Sequence, residues 1–237
     1  MSQLVSVSDM FSQSWAAYKL RQKTFIVPMV VEIVLIVILS LGAYLAASAE
    51  NAFTGILAIL LCIAAGVAAI INGAAVYRVP FNEPSVKFEE LFKQGARRVL
   101  PMIGTAILVE LAVIAGFVIF IIPGIYLAIG LSFATLLAVR GSSPLQAFKQ
   151  SRAMVHGKWW GILGRLILVS LLTSALNLPT NILFGIANNA EYTTGLILTI
   201  IAGVYMIAYM LIVGPWMIML LKTLLDSAEK SSTSAHN

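Results

Sequence analysis

Residues 51–77 read NAFTGILAILLCIAAGVAAIINGAAVY, and none of them is charged. At 1.5 Å per residue, about 20 apolar residues of helix cross the ~30 Å hydrocarbon core of a bilayer. The run is long enough to span, and it lacks the short alternating segments of a membrane barrel. The same pattern recurs outward from it. Residues 24–48 carry only Glu32, 99–139 only Glu110, 159–190 only Arg165, and 192–221 no charge at all. The run 99–139 is too long for one helix. Pro123-Gly124 is expected to divide it with a tight turn, since proline removes a donor and glycine permits unusual backbone angles. The sequence therefore predicts an all-α membrane protein of six transmembrane helices, at 24–48, 52–77, 99–121, 125–140, 159–187 and 193–221. These form a single polytopic domain over 1–226, followed by a polar tail at 227–237.

Composition agrees. Of the 237 residues 60% are hydrophobic and only 11% charged, where an average soluble domain carries about 25%. Mean hydropathy is +0.96. The net charge of +5 would suggest nucleic acid in a soluble protein, but here the bases sit in short loops between apolar runs, so no nucleic-acid partner is expected. The one cysteine, Cys62, excludes an internal disulfide, and the histidines, His156 and His236, lie too far apart to suggest a metal site. No metal or cofactor is expected. No small-residue cleavage pattern precedes a mature domain, so a cleavable signal peptide is not expected either.

Lysine and arginine give the orientation. Lys19, Arg21 and Lys23 precede the first span; Arg78, Lys87, Lys93, Arg97 and Arg98 follow the second. Arg140, Lys149, Arg152 and Lys158 follow the fourth, and Lys222 and Lys230 the sixth. The intervening loops hold Glu50 and Glu191 and no base. By the positive-inside rule both termini are cytoplasmic.

Three polar stretches precede the odd-numbered spans and resemble one another: Phe11-Ser12-Gln13-Ser14, Phe92-Lys93-Gln94-Gly95 and Phe148-Lys149-Gln150-Ser151. Each sits in a short amphipathic segment, expected at 6–20, 85–97 and 144–156. The faces are Val7, Met10, Phe11, Ser14 and Tyr18; Phe88, Leu91, Phe92 and Gly95; and Leu145, Phe148, Ser151 and Val155. Such helices suit a membrane–water interface. One interfacial helix plus one hairpin of spans, three times over, would be the repeating unit.

Charges inside spans are costly, so Glu32, Glu110 and Arg165 are the first functional candidates. Counted from the basic end, they lie about 10–12, 15–18 and 8–10 Å deep. If the repeats share an axis, Arg165 pairs with one glutamate and leaves the other to bind a proton or cation. In the structural alternative, an Arg–Glu pair fixes helix register. Thr173, Asn177 and Asn181 share a face of span five, and Pro179 lies between the two asparagines; this cluster lines a cavity or makes interhelical hydrogen bonds. Ala65, Ala69 and Gly73 form a small-residue stripe for close packing in span two. Arg97, Arg98, Arg152 and Lys158 lie beside the interfacial helices, where basic residues meet anionic lipid headgroups.

Two further stretches carry a family resemblance: Ile122-Pro123-Gly124-Ile125-Tyr126-Leu127, and Gly141 to Ser151 followed by His156-Gly157-Lys158-Trp159-Trp160. These resemble the YciC-type family of bacterial inner-membrane proteins, and are similar to the membrane domain accompanying some glycerophosphoryl diester phosphodiesterases. The resemblance implies a six-helix protein of the bacterial plasma membrane. In those phosphodiesterases a separate soluble domain carries the chemistry, and no such domain is expected here. Read from the residues alone, the motif is architectural. Pro123-Gly124 makes the turn, Ser142 or Ser143 caps the helix that Pro144 opens, Phe148 lies on its face, Gly157 ends it, and Trp159-Trp160 anchors the next span.

The functional expectation is a non-enzymatic membrane protein of envelope or lipid homeostasis that binds or moves a lipid-like or small amphipathic molecule. The alternatives are a proton- or ion-coupled transporter or channel using the intramembrane charges, and a scaffold or receptor. The sequence offers no paired carboxylates on a shared loop, His cluster, Ser–His set or phosphate-cradling glycine loop.

Overall fold

The computed structural model describes residues 4–49 and 51–233. Glu50 and His236 lie outside the described residues. Among the described residues there is helix and no strand. Six segments of the described residues are long and apolar enough to cross a membrane: Val7–Ala47, Ala52–Phe81, Phe88–Ile119, Ile121–Arg140, Trp159–Ala187 and Tyr192–Ser232. The helices are α1 (Val7–Ala47), α2 (Ala52–Arg78), α3 (Phe88–Ile119), α4 (Ile121–Gly130), α5 (Ala134–Arg140), α6 (Pro144–Val155), α7 (Trp159–Ala187) and α8 (Tyr192–Thr233). The chain divides into two compact units. One comprises Met1–Lys19 with Arg152–Asn237, the other Leu20–Ser151.

Local chemistry explains where the helices stop. Asn51 caps α2, its side chain accepting from Thr54 N at 3.0 Å. The division of the long apolar run falls at Phe120, which is extended at φ −172°, and not at Pro123-Gly124. Pro123 lies in the first turn of α4, where its missing N–H costs no helical bond. Gly124 serves packing: a Cβ there would lie 2.4 Å from the Phe117 ring, and one on Gly116 would lie 2.9 Å from Gly124 Cα. The two glycines let α3 and α4 close against each other.

The amphipathic stretches differ from expectation in their boundaries. The first two are continuous with their spans, as α1 and α3, because nothing between them and the apolar run breaks a helix. The third stands alone as α6, ended by Gly157 at φ +77°, a left-handed conformation that favours glycine. Its cap is also reversed. Neither serine side chain caps it; Gln146 Oε1 reaches back to accept from Ser143 N at 3.2 Å.

One register is common to all three. The residue before the shared phenylalanine is fully buried in each copy: Met10, Leu91 and Ala147. So is the residue three after it in the first and third copies, Ser14 and Ser151. In the second copy this position is Gly95, and a Cβ there would lie 2.7 Å from Ala75 N. In the third helix the buried residue is Ala147, while Leu145, placed on that face by the sequence, is 58% exposed. Each copy seats this small residue on another helix. Gly95 meets α2, Ser14 Oγ accepts from Trp216 Nε1 of α8 at 3.1 Å, and Ser151 meets the α4–α5 break. There Ser151 Oγ donates to Gly130 O at 2.9 Å and accepts from Phe133 N at 3.2 Å, satisfying backbone groups that the interruption leaves unpaired.

The expected polar tail is partly helix. α8 continues to Thr233, with Ala228 and Ser231 buried and Ser227 Oγ accepting from Val5 N at 2.7 Å. The partners of Val5 and Ala228 lie far off in sequence, which is why composition alone reads this stretch as solvated. Residues 234–237 lie outside the described residues.

Candidate functional site: an apolar cleft and the polar groups within the spans

Between the end of α1 and the start of α2, at the opposite end of these helices from Arg21 and Arg78, is an open cleft of about 440 Å³. Leu45, Leu57, Ala58 and Leu61 supply its apolar wall; Ser48, Asn51 and Thr54 supply the polar rim. The rim exists because the hairpin turns there. Asn51 Oδ1 is occupied by the cap, accepting from Thr54 N and Thr54 Oγ1 at 3.0 and 3.2 Å. Asn51 Nδ2 and Ser48 Oγ have no partner among the described residues. The cleft thus pairs an apolar surface with hydrogen-bond donors, and its volume is in the usual range of small-molecule sites.

Deeper in the same hairpin lies Glu32, half-buried. Asn72 Nδ2 donates to Glu32 Oε2 at 2.6 Å and to Pro28 O at 2.9 Å. Asn72 is fully buried, and its Oδ1 has no partner. The sequence reading missed Asn72, which stands in the uncharged run of span two. Its signal was present: a lone amide in an apolar span needs a partner. The expected small-residue stripe is only partly used. Ala65 is buried, but a Cβ on Gly73 would meet nothing within 4 Å. The close approach of α1 and α2 comes instead at Gly42, where a Cβ would lie 2.8 Å from Cys62 Sγ.

Glu110 is exposed on α3 and has no hydrogen bond or ion pair among the described residues. Arg165, on α7, donates to two main-chain carbonyls of its own unit. Nε and Nη2 reach Val5 O, the former at 3.1 Å, and Nη1 reaches Gly161 O at 2.8 Å. The guanidinium is thus filled by backbone oxygens where the sequence suggested a glutamate.

On span five, Thr173 Oγ1 donates to Val169 O at 2.7 Å, with Met217 Sδ of α8 an alternative acceptor for the same hydrogen at 3.3 Å. Asn181 Nδ2 donates to Asn177 Oδ1 at 3.2 Å, and Asn181 itself is exposed. Around Pro179, Tyr205 donates to Leu176 O at 2.6 Å and Tyr209 to Thr173 O at 3.5 Å. These are helix–helix bonds between α7 and α8.

The basic residues are differently employed. Arg97 and Arg152 are exposed. Arg98 Nη1 donates to Gly141 O at 2.9 Å. Lys158 Nζ donates to Ala228 O at 2.9 Å, and burial holds its pKa below the usual lysine value. Trp159 and Trp160 meet edge to face at 4.7 Å at the start of α7, with Trp160 exposed. Pro144 opens α6 and Phe148 is half-buried on it. No group of His, Cys, Asp and Glu fit to hold a metal occurs among the described residues.

No protein-family model matches the chain, and neither a curated protein nor a solved structure matches it.

Proposed function

We propose that this multi-pass membrane protein is a non-enzymatic, YciC-type component of the bacterial inner membrane. It binds or moves a lipid-like or small amphipathic molecule in envelope or lipid homeostasis, with both termini in the cytoplasm. The observation that carries the reading is the cleft between α1 and α2: an apolar wall open at the side, with two rim donors, Ser48 Oγ and Asn51 Nδ2, that have no partner among the described residues. An acyl chain fits the wall, and a carbonyl, ester or hydroxyl group fits the rim. Leu57 is 59% exposed and lines the cleft, so Leu57→Trp fills the space without disturbing the core. Native mass spectrometry of the purified protein should then show loss of retained amphiphile. Unchanged retention by a folded Leu57→Trp variant contradicts the proposal.

A second reading, proton- or ion-coupled transport, draws on Glu32. Its buried Asn72 partner keeps an acceptor without a donor, so a proton or cation would complete the site. Glu32→Gln abolishing coupled uptake in proteoliposomes supports that reading. Unchanged uptake removes it.

A further inference from the structure

At the basic end of the Leu20–Ser151 unit, Arg21 and Arg78 belong to one hydrogen-bond network and Arg98 binds the carbonyl next to one that Arg78 binds; none of the three is paired with a carboxylate among the described residues. Arg78 is the centre. Its Nε and Nη2 reach Gln94 Oε1 at 3.0 and 2.7 Å, and its Nη1 reaches Val139 O and Arg140 O at 3.0 and 3.1 Å. Arg78 therefore ties the ends of α2 and α5 to α3. Asn82 joins the same group, donating to Gln94 Oε1 at 3.0 Å and to Arg78 O at 2.9 Å.

The arginines on either side are different. Arg21, from α1, makes one long bond to Asn82 O at 3.5 Å, and its Nε has no partner. Arg98, from α3, makes one bond, to Gly141 O. Most of their donors are unoccupied, and Arg98 and Arg78 donate to consecutive carbonyls, Gly141 O and Arg140 O. The carboxylate that enters the network, Glu90, accepts from Gln94 Nε2 at 3.1 Å and from none of the arginines. Concentrated positive charge with open guanidinium forks and no acid partner is what a tetrahedral oxyanion recognises. The position is also apt. Arg21 stands three residues before Thr24, where the first apolar run begins, and Arg78 closes α2.

We propose that Arg21 and Arg98, flanking Arg78, form a binding site for a phosphate group, the chemistry shared by an anionic lipid headgroup and free phosphate. Arg78 holds the ends of the helices together, and Arg21 and Arg98 supply the donors. This site is separate from the α1/α2 cleft, and Leu57→Trp leaves it intact.

The test uses the full chain with Arg21→Gln and Arg98→Gln together, which spares the structural Arg78. Lys149→Gln with Arg152→Gln, two exposed bases on α6, is the charge-matched control. In nanodiscs of phosphatidylglycerol and phosphatidylethanolamine, native mass spectrometry reads the phosphatidylglycerol retained. Calorimetry on lipid-stripped protein reads inorganic phosphate. The expected result is a drop of about tenfold or more in phosphatidylglycerol retention for the double variant and little change for the control, since charged hydrogen bonds are lost. Loss of inorganic phosphate binding with lipid retention unchanged assigns the same site to free phosphate. A double variant that keeps the wild-type melting profile and binds both probes like wild type, or like the control, overturns the proposal.

Discussion

In the α1/α2 hairpin the polar contacts inside the span involve a carboxylate: Asn72 Nδ2 donates to Glu32 Oε2 at 2.6 Å and to Pro28 O at 2.9 Å. In the α7/α8 hairpin they join neutral groups: Tyr205 to Leu176 O, Tyr209 to Thr173 O and Thr173 to Met217 Sδ. Both pairs of helices are apolar, and in lipid neither gains from hydrophobic burial of one helix against the other; packing and hydrogen bonds hold them. The difference lies in what happens when a partner is lost. A tyrosine hydroxyl left alone is a modest cost. A carboxylate left alone inside a span is a large one. The first hairpin is thus sensitive to one amide, and the last is held by contacts that each matter little.

Removing that amide should have the largest effect. Asn72→Leu strands Glu32, and thermal unfolding in detergent should show a loss of about 2–4 kcal/mol, the scale of an unpaired charge in a span. Glu32→Gln keeps the bond, so its cost should stay below about 1 kcal/mol. Equal effects of the two would show that the pair does not govern the hairpin. Next comes Arg165→Gln, which loses the bonds to Val5 O. A cost of about 1–3 kcal/mol and faster proteolysis near Val5 are expected, because a charged hydrogen bond is worth that much. Tyr205→Phe should cost about 0.6 kcal/mol, the average for interhelical bonds in membrane proteins. Asn181→Leu, on an exposed position, should shift stability by less than about 0.5 kcal/mol. A larger loss would place Asn181 against a polar cavity.

The fold was legible because lipid demands long uncharged runs, and those are countable along the chain. Boundaries were harder to read. Pro123-Gly124 has the composition of a turn, but the chain turns at Phe120, since proline is tolerated in a helix's first turn and Gly124 is needed for contact with Phe117. Gly157 has a positive φ and separates α6 from α7, whereas no such residue interrupts α1 or α3. Of the candidate site, Glu32 and Arg165 were visible as charges in apolar runs, but their partners were not. Asn72 meets Glu32 through the offset of two helices, and Val5 meets Arg165 through a main-chain oxygen that no side-chain pattern marks. The cleft was hidden for a similar reason, because Leu45 and Leu57 look like any other lipid-facing leucines.

The central claim is that an amphiphile occupies the α1/α2 cleft and is more than part of the general lipid coat. Photo-crosslinking with a diazirine-bearing acyl chain, followed by peptide mapping, tests it most directly. The expected result is labelling concentrated at Leu45, Leu57 and Leu61. Labelling spread in proportion to exposure, with Leu111 and Ile200, as exposed as Leu57, marked as strongly, would contradict it.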